Sequence, residues 1–166
     1  MTKPKTNQFN SPTKGRLDFD ELIKELLAYL NEDKKSAYKI VIGTDSQAHS
    51  PTVDFITALV VHRIGKGGRY FWKKIRKYNI YHLKQRIYSE VELSLKLAED
   101  LIEKLKNYIS RERLLNKDLE IHVDIGQNGE TREKIKEVVG MVRGNGFNVK
   151  YKPEAYGASN VADRHS

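Results

Sequence analysis

Two aspartates stand where apolar, β-prone segments run out. Asp45 follows KIVIGT at 39–44, and Asp124 lies near the end of LEIHVDI at 119–125. Asp45 has no Lys or Arg beside it in sequence to balance its charge. If the two strands are parallel neighbours, both carboxylates emerge at one edge of a sheet, the edge where α/β proteins tend to bind ligands. Carboxylates brought together repel, and the simplest compensation is a divalent cation. Taken singly, either residue is equally a solvated turn residue or a helix cap.

A third carboxylate is selected by helical spacing. Glu90 and Glu92 both lie early in a long helical pattern. From Glu90, steps of helical period reach Ser94, Leu97, Ala98 and Leu101, an inward stripe. From Glu92 they reach Lys96, Glu99, Asp100 and Glu103, a wet face. Glu90 therefore points toward the sheet, although a glutamate in a first turn also complements the helix dipole. Asp163, in ADRHS, is a fourth acidic candidate.

The segment KGGRYFWKKIRK at 66–77 places Lys66, Arg69, Lys73, Lys74, Arg76 and Lys77 around three aromatics. On an edge strand such cations suit a phosphate backbone, and an aromatic suits a stacked base. Lysines also guard edge strands against aggregation, with alternate aromatics facing the core. His122 lies two residues before Asp124 and shares its face, which makes it a candidate accessory group or a satisfied sheet histidine. His165 is two residues past Asp163. No histidine pair has the spacing of a helical zinc site, and neither a P-loop nor a serine nucleophile elbow occurs.

The elements that must position these groups follow from periodicity. Residues 1–16 are polar and read as a flexible basic tail. A helix begins sharply, with Asp18 as cap, Glu21 completing a capping box, and Leu17 and Leu22 as the hydrophobic staple. Its apolar stripe is Phe19, Leu22, Ile23, Leu26, Leu27 and Leu30. Strands are expected at 38–44, 55–62 and 69–80, the last two joined through the glycine-rich GKGG at 65–68. A long helix over 86–110, a strand over 119–125, a helix over 131–143, a strand over 147–152 and a short terminal helix near Ser159 complete the order. This predicts an α/β domain over 17–166, with a mixed five-stranded sheet: a three-stranded antiparallel meander plus two parallel strands, with helices on both faces.

Composition agrees with a soluble globular domain. The 166 residues are 39% hydrophobic and 31% charged, and the formal net charge is +8. That charge favours polyanionic partners such as nucleic acid. The absence of cysteine excludes disulfides and thiolate zinc sites and suits a cytoplasmic protein. No apolar run approaches bilayer length, and the N-terminal residues lack the apolar centre of a signal peptide.

Taken as a set, IGTDSQ, RIYSEVELS, HVDIG and KPEAYGASNVADR resemble the YkuK family of bacterial proteins, which is assigned a ribonuclease H-like fold. The resemblance runs from about residue 17 onward. It implies that Asp45, Glu90, Asp124 and Asp163 take the places of the superfamily's catalytic carboxylates. Such a set holds two Mg²⁺ or Mn²⁺ ions and hydrolyses phosphodiester bonds in RNA, DNA or a hybrid. It also implies a product-release role for His165. Two departures stand out: Ser46-Gln47 replaces the Gly-Ser of ribonuclease H proper, and Gln47 occupies the glutamate position of an exonuclease DxE pair.

The competing expectation is a nucleic-acid-binding module that keeps the fold without cutting. An actin-like ATPase needs two such domains, and an aspartyl-nucleophile phosphatase needs a DxD that Asp45-Ser46-Gln47 lacks.

Overall fold

The computed structural model describes residues 8–49, 51–110, 114, 118–124 and 132–151. The elements are β1 (Phe9–Ser11), β2 (Gly15–Leu17), α1 (Phe19–Glu32), β3 (Tyr38–His49), β4 (Thr52–Arg63), β5 (Gly68–Lys77), α2 (Leu83–Leu105), β6 (Leu119–Val123), α3 (Arg132–Gly144) and β7 (Asn148–Tyr151). They form one mixed sheet in the order β2-β1-β5-β4-β3-β6-β7. The antiparallel meander β3–β4–β5 and the parallel strands β6 and β7 stand as the sequence predicts. The N-terminal hairpin adds two strands to the expected five.

That hairpin corrects the reading of a flexible tail over residues 9–16; residues 1–7 of that reading lie outside the described residues. Residues 9–17 fold onto the sheet through pairing of Asn10 with Trp72. Phe9 is fully buried, with its ring 6.0 Å from that of Phe19, and Leu17 is buried beside it. Gly15, at φ 71°, supplies a turn that a side chain would strain. One aromatic anchor outweighs a polar average taken over the segment. The same hairpin removes β5 from the edge, where the basic segment was expected.

Strand alternation sorts the side chains cleanly. Ile40 and Ile42 of β3, Leu59 and Val61 of β4, Phe71 of β5 and Ile121 of β6 join the inner sides of all three helices in the main core. The opposite face carries a smaller apolar group, Val41, Ile56 and Ala58, flanked by Val60 and Trp72. The short terminal helix expected near Ser159 lies outside the described residues.

The expected capping box opens α1. Asp18 Oδ1 accepts from the Glu21 amide at 2.8 Å, and Glu21 Oε1 accepts from the Asp18 amide at 3.1 Å. Helix α2 starts three residues before Arg86, because Gln85 Oε1 accepts from the amides of Tyr81 and His82 and satisfies that end. At the GKGG turn, Gly65 and Gly67 take φ of 78° and 87°. No helix among the described residues is long and apolar enough to cross a membrane.

Candidate active site

Strand β3 runs on to His49, so Asp45 does not end it. Asp45 marks the point where β3 loses one neighbour. Parallel pairing with β6 stops at Gly43 opposite His122, while antiparallel pairing with β4 continues to His49 opposite Thr52. Two residues beyond the last parallel pair are Asp45 on one side and Asp124 on the other. The register therefore sets the two aspartates level, at the carboxyl end of the parallel pair.

Glu90 reaches the same place from α2. Two polar rungs fix the helix on the strand. Ser94 Oγ and Thr44 Oγ1 are 2.8 Å apart, and Thr44 Oγ1 is 3.0 Å from Thr57 Oγ1 on β4. One turn earlier in the helix and two residues later in the strand, Ser46 Oγ donates to Glu90 Oε1 at 2.7 Å. Four helical residues rise about 6 Å and two strand residues about 6.6 Å, so the rungs match without bending either element. Arg86, another turn back, donates from Nε and Nη2 to the Ser46 hydroxyl at 3.3 and 3.2 Å. Its Nη2 also donates to the Ser46 carbonyl at 3.2 Å.

The electrostatics report the convergence. Protein surrounds Glu90 on most sides, although its rim meets solvent. Loss of water pushes its carboxyl up to about 8; Asp45 and Asp124 add to the rise, while the Ser46 hydrogen bond and Arg86 oppose it. Both aspartates thus act on Glu90 as like charges. Asp124 Oδ1 is itself fully buried. Glu90 and Asp124 line one narrow cleft with Thr44, Ser94 and His122, closed to the size of a water molecule.

The donor set fits a hard divalent cation in kind: three carboxylates from three elements, one of them disfavoured as an anion chiefly by burial, with the other two adding to that effect. Among the described residues, no group of three or more His, Asp or Glu side chains is placed to hold an ion as it stands. Asp163 and His165 lie outside the described residues.

His122 is buried, with its Nε2 2.8 Å from Glu120 Oε1, and Lys39 closes that group 3.3 Å from Glu120. Spacing alone did not single out Ser46 or Arg86. Arg86 precedes Glu90 by four residues, and that interval was the available signal.

The cations of 66–77 divide between the sheet faces. Lys66 pairs with Asp33 at 3.0 Å, and Arg69 lies over the Tyr29 ring. Lys73 and Lys77 lie over the rings of Phe9 and Phe55. Arg76 grips Asp54 with bonds of 2.7 and 3.1 Å, and Lys74 stands 3.6 Å from the same carboxylate. Strand parity puts Lys74 and Arg76 on the face of Asp45, whose row runs Asp45, Ile56, Lys74.

Comparison with known proteins agrees with this architecture. The chain is 30% identical to the "Uncharacterized protein YkuK" of Bacillus subtilis (strain 168), over 94% of this chain and 95% of that protein. No solved structure matches it. The family model described as ribonuclease H-like matches residues 21–166, and with β3, β6 and α2 bringing three acidic residues to one sheet edge, the chain belongs to the ribonuclease H-like family.

Proposed function

We propose that this protein is a metal-dependent nuclease that hydrolyses phosphodiester bonds in RNA, DNA or an RNA–DNA hybrid. One observation carries the reading: Asp45 and Asp124 stand level at the carboxyl end of the parallel pair and both act as like charges on Glu90, whose buried carboxyl is pushed up to about 8. Asp45, Glu90 and Asp124 are the groups that would hold Mg²⁺ or Mn²⁺, with Asp163 as the fourth. Two such ions, when bound, supply an activated water and stabilisation of the leaving oxygen. Ser46 and Arg86 orient Glu90, and the Thr44–Ser94 rung fixes its height above β3. Lys74 and Arg76, on the face of Asp45, attract the phosphate backbone.

A second reading draws on the same contacts. Ser46 bonds Glu90 and the charge of Arg86 partly offsets it from within the protein, which also suits a binding module that does not cut. The test incubates the protein with labelled single-stranded, duplex and hybrid substrates in Mg²⁺ or Mn²⁺. Cleavage that Asp45→Asn and Asp124→Asn each abolish is expected. Absence of cleavage on every substrate, or cleavage that survives both substitutions, overturns the nuclease reading. Salt-sensitive binding indifferent to chelator then selects the binding module.

A further inference from the structure

Between Asp54 and Glu90 the chain carries no Asp or Glu, while nine Lys and Arg residues fall in that interval. The link from β5 to α2, with the first residue of α2, holds three of the five large hydrophobic side chains exposed among the described residues: Tyr78 at 68%, Tyr81 at 61% and Leu83 at 41%. Exposed aromatics in a stretch free of negative charge are suited to a polyanion with flat faces. The link is not a loose excursion. The Ile80 amide donates to the Pro51 carbonyl at 3.0 Å, which seats it against the β3–β4 turn. Tyr81 OH donates to Asn79 Oδ1, and the Tyr81 and His82 amides donate to Gln85. Asn79 takes φ of 59°, a conformation asparagine tolerates better than most residues.

The place of the link in the fold gives it a use. β3 runs past Asp45 toward the turn the link rests on, and α2 leads from the link into the site. Glu90 lies seven positions along the helix from Leu83, about 10 Å. A stacked strand advances about 3.4 Å per nucleotide, so about three nucleotides cover that distance. Arg86, midway, already faces Ser46.

We propose that Tyr78 and Tyr81 form a stacking platform for the bases of single-stranded nucleic acid, held beside the carboxylates by the cations around it. The proposal rests on the nuclease reading and narrows its substrate class. Unpaired bases offer free faces to aromatic rings, whereas duplex bases are already stacked on each other. Lys74, Arg76 and Lys84 supply attraction that does not depend on sequence.

The test measures binding of a labelled single-stranded oligonucleotide and its duplex, in chelator, by the full chain and by Tyr78→Ala, Tyr81→Ala and the matching Phe variants. Each Ala variant is expected to weaken single-strand binding at least about five-fold. The Phe variants keep it, and duplex binding changes by less than about two-fold. Unchanged single-strand affinity in both Ala variants overturns the proposal, as does equal loss on single strand and duplex, or failure of the full chain to bind single strands. Single-strand cleavage unaffected by both Ala variants removes the platform and leaves the nuclease reading intact. Tyrosine-dependent binding with no cleavage in Mg²⁺ or Mn²⁺ does the reverse.

Discussion

Ser46 Oγ donates to Glu90 Oε1 at 2.7 Å, and so the strand that carries Asp45 also holds the α2 carboxylate on which the charge of Asp45 acts. This bond favours the ionised form of Glu90 against burial and against two neighbouring carboxylates. Ser46→Ala removes it. The expected result is a stability loss of about 1 kcal/mol and a further rise in the pKa of Glu90. The acid limb of the cleavage pH profile then moves to higher pH. Denaturant titration reads the first effect and the pH–rate profile the second; an unmoved profile would show that Ser46 does not tune Glu90.

Glu90 itself links stability and function in opposite senses. Its carboxyl is raised in the folded protein from the ordinary 4.5 to about 8. Between those values the folded, ion-free state binds more protons than the unfolded state, so stability falls as pH rises through that window. At roughly 1.4 kcal/mol per unit, the loss is on the order of a few kcal/mol. Glu90→Gln removes this dependence. In chelator above about pH 8 it is expected to unfold at higher denaturant than the unmodified protein, while its cleavage activity is lost. Mg²⁺ or Mn²⁺ is expected to stabilise the unmodified protein and to act less on Glu90→Gln.

Much of this site was legible in the residues, and the omissions share a cause. The inward direction of Glu90 follows from a 3.6-residue period, which depends on α2 alone. The placement of Asp45 and Asp124 at one sheet edge required only that β3 and β6 be parallel, whereas the register that sets them level, Gly43 opposite His122, is a tertiary feature. The true length of β3 was not legible, because the polar Ser46, Gln47 and His49 read as a turn. They remain strand because β4 pairs with them residue by residue as far as Thr52. The β1–β2 hairpin was missed for a related reason. Its stability comes from Phe9 meeting Phe19 and from Asn10 pairing with Trp72, contacts that local polarity does not encode.

Asp54 gives an acid-stability prediction. It is 4% exposed, and the hydrogen bond from Arg76 holds its carboxyl below the usual range against the opposing cost of burial. The charges of Arg76, Lys74 and His49 add to the lowering. A depressed folded pKa means that the unfolded state binds more protons over that window. The contribution is present above the ordinary value of 3.8 and is lost as pH falls through the folded value. Asp54→Asn is expected to lower the melting temperature at neutral pH and to flatten the fall on the acid side. Parallel melting curves of the two proteins at descending pH check it; equal acid slopes would contradict it.

Lys73 and Lys74 are adjacent in sequence but on opposite faces of β5. Lys74 shares the face of Asp45, whereas the Lys73 nitrogen lies 5.0 Å from the Phe9 ring centroid on the helix side, where burial lowers its pKa. A backbone phosphate led toward Asp45 meets the first and not the second. Lys74→Gln is therefore expected to weaken nucleic-acid binding and to reduce the salt slope by about one. Lys73→Gln should leave both nearly unchanged. The sign for stability differs as well. Removing a lysine whose charged form is disfavoured by burial relieves a cost, so Lys73→Met is expected to stabilise the fold at neutral pH. Binding measured across a salt series, with denaturant midpoints for each variant, separates the two residues. Equal effects of Lys73→Gln and Lys74→Gln on the salt slope would place the nucleic acid somewhere other than the face of Asp45.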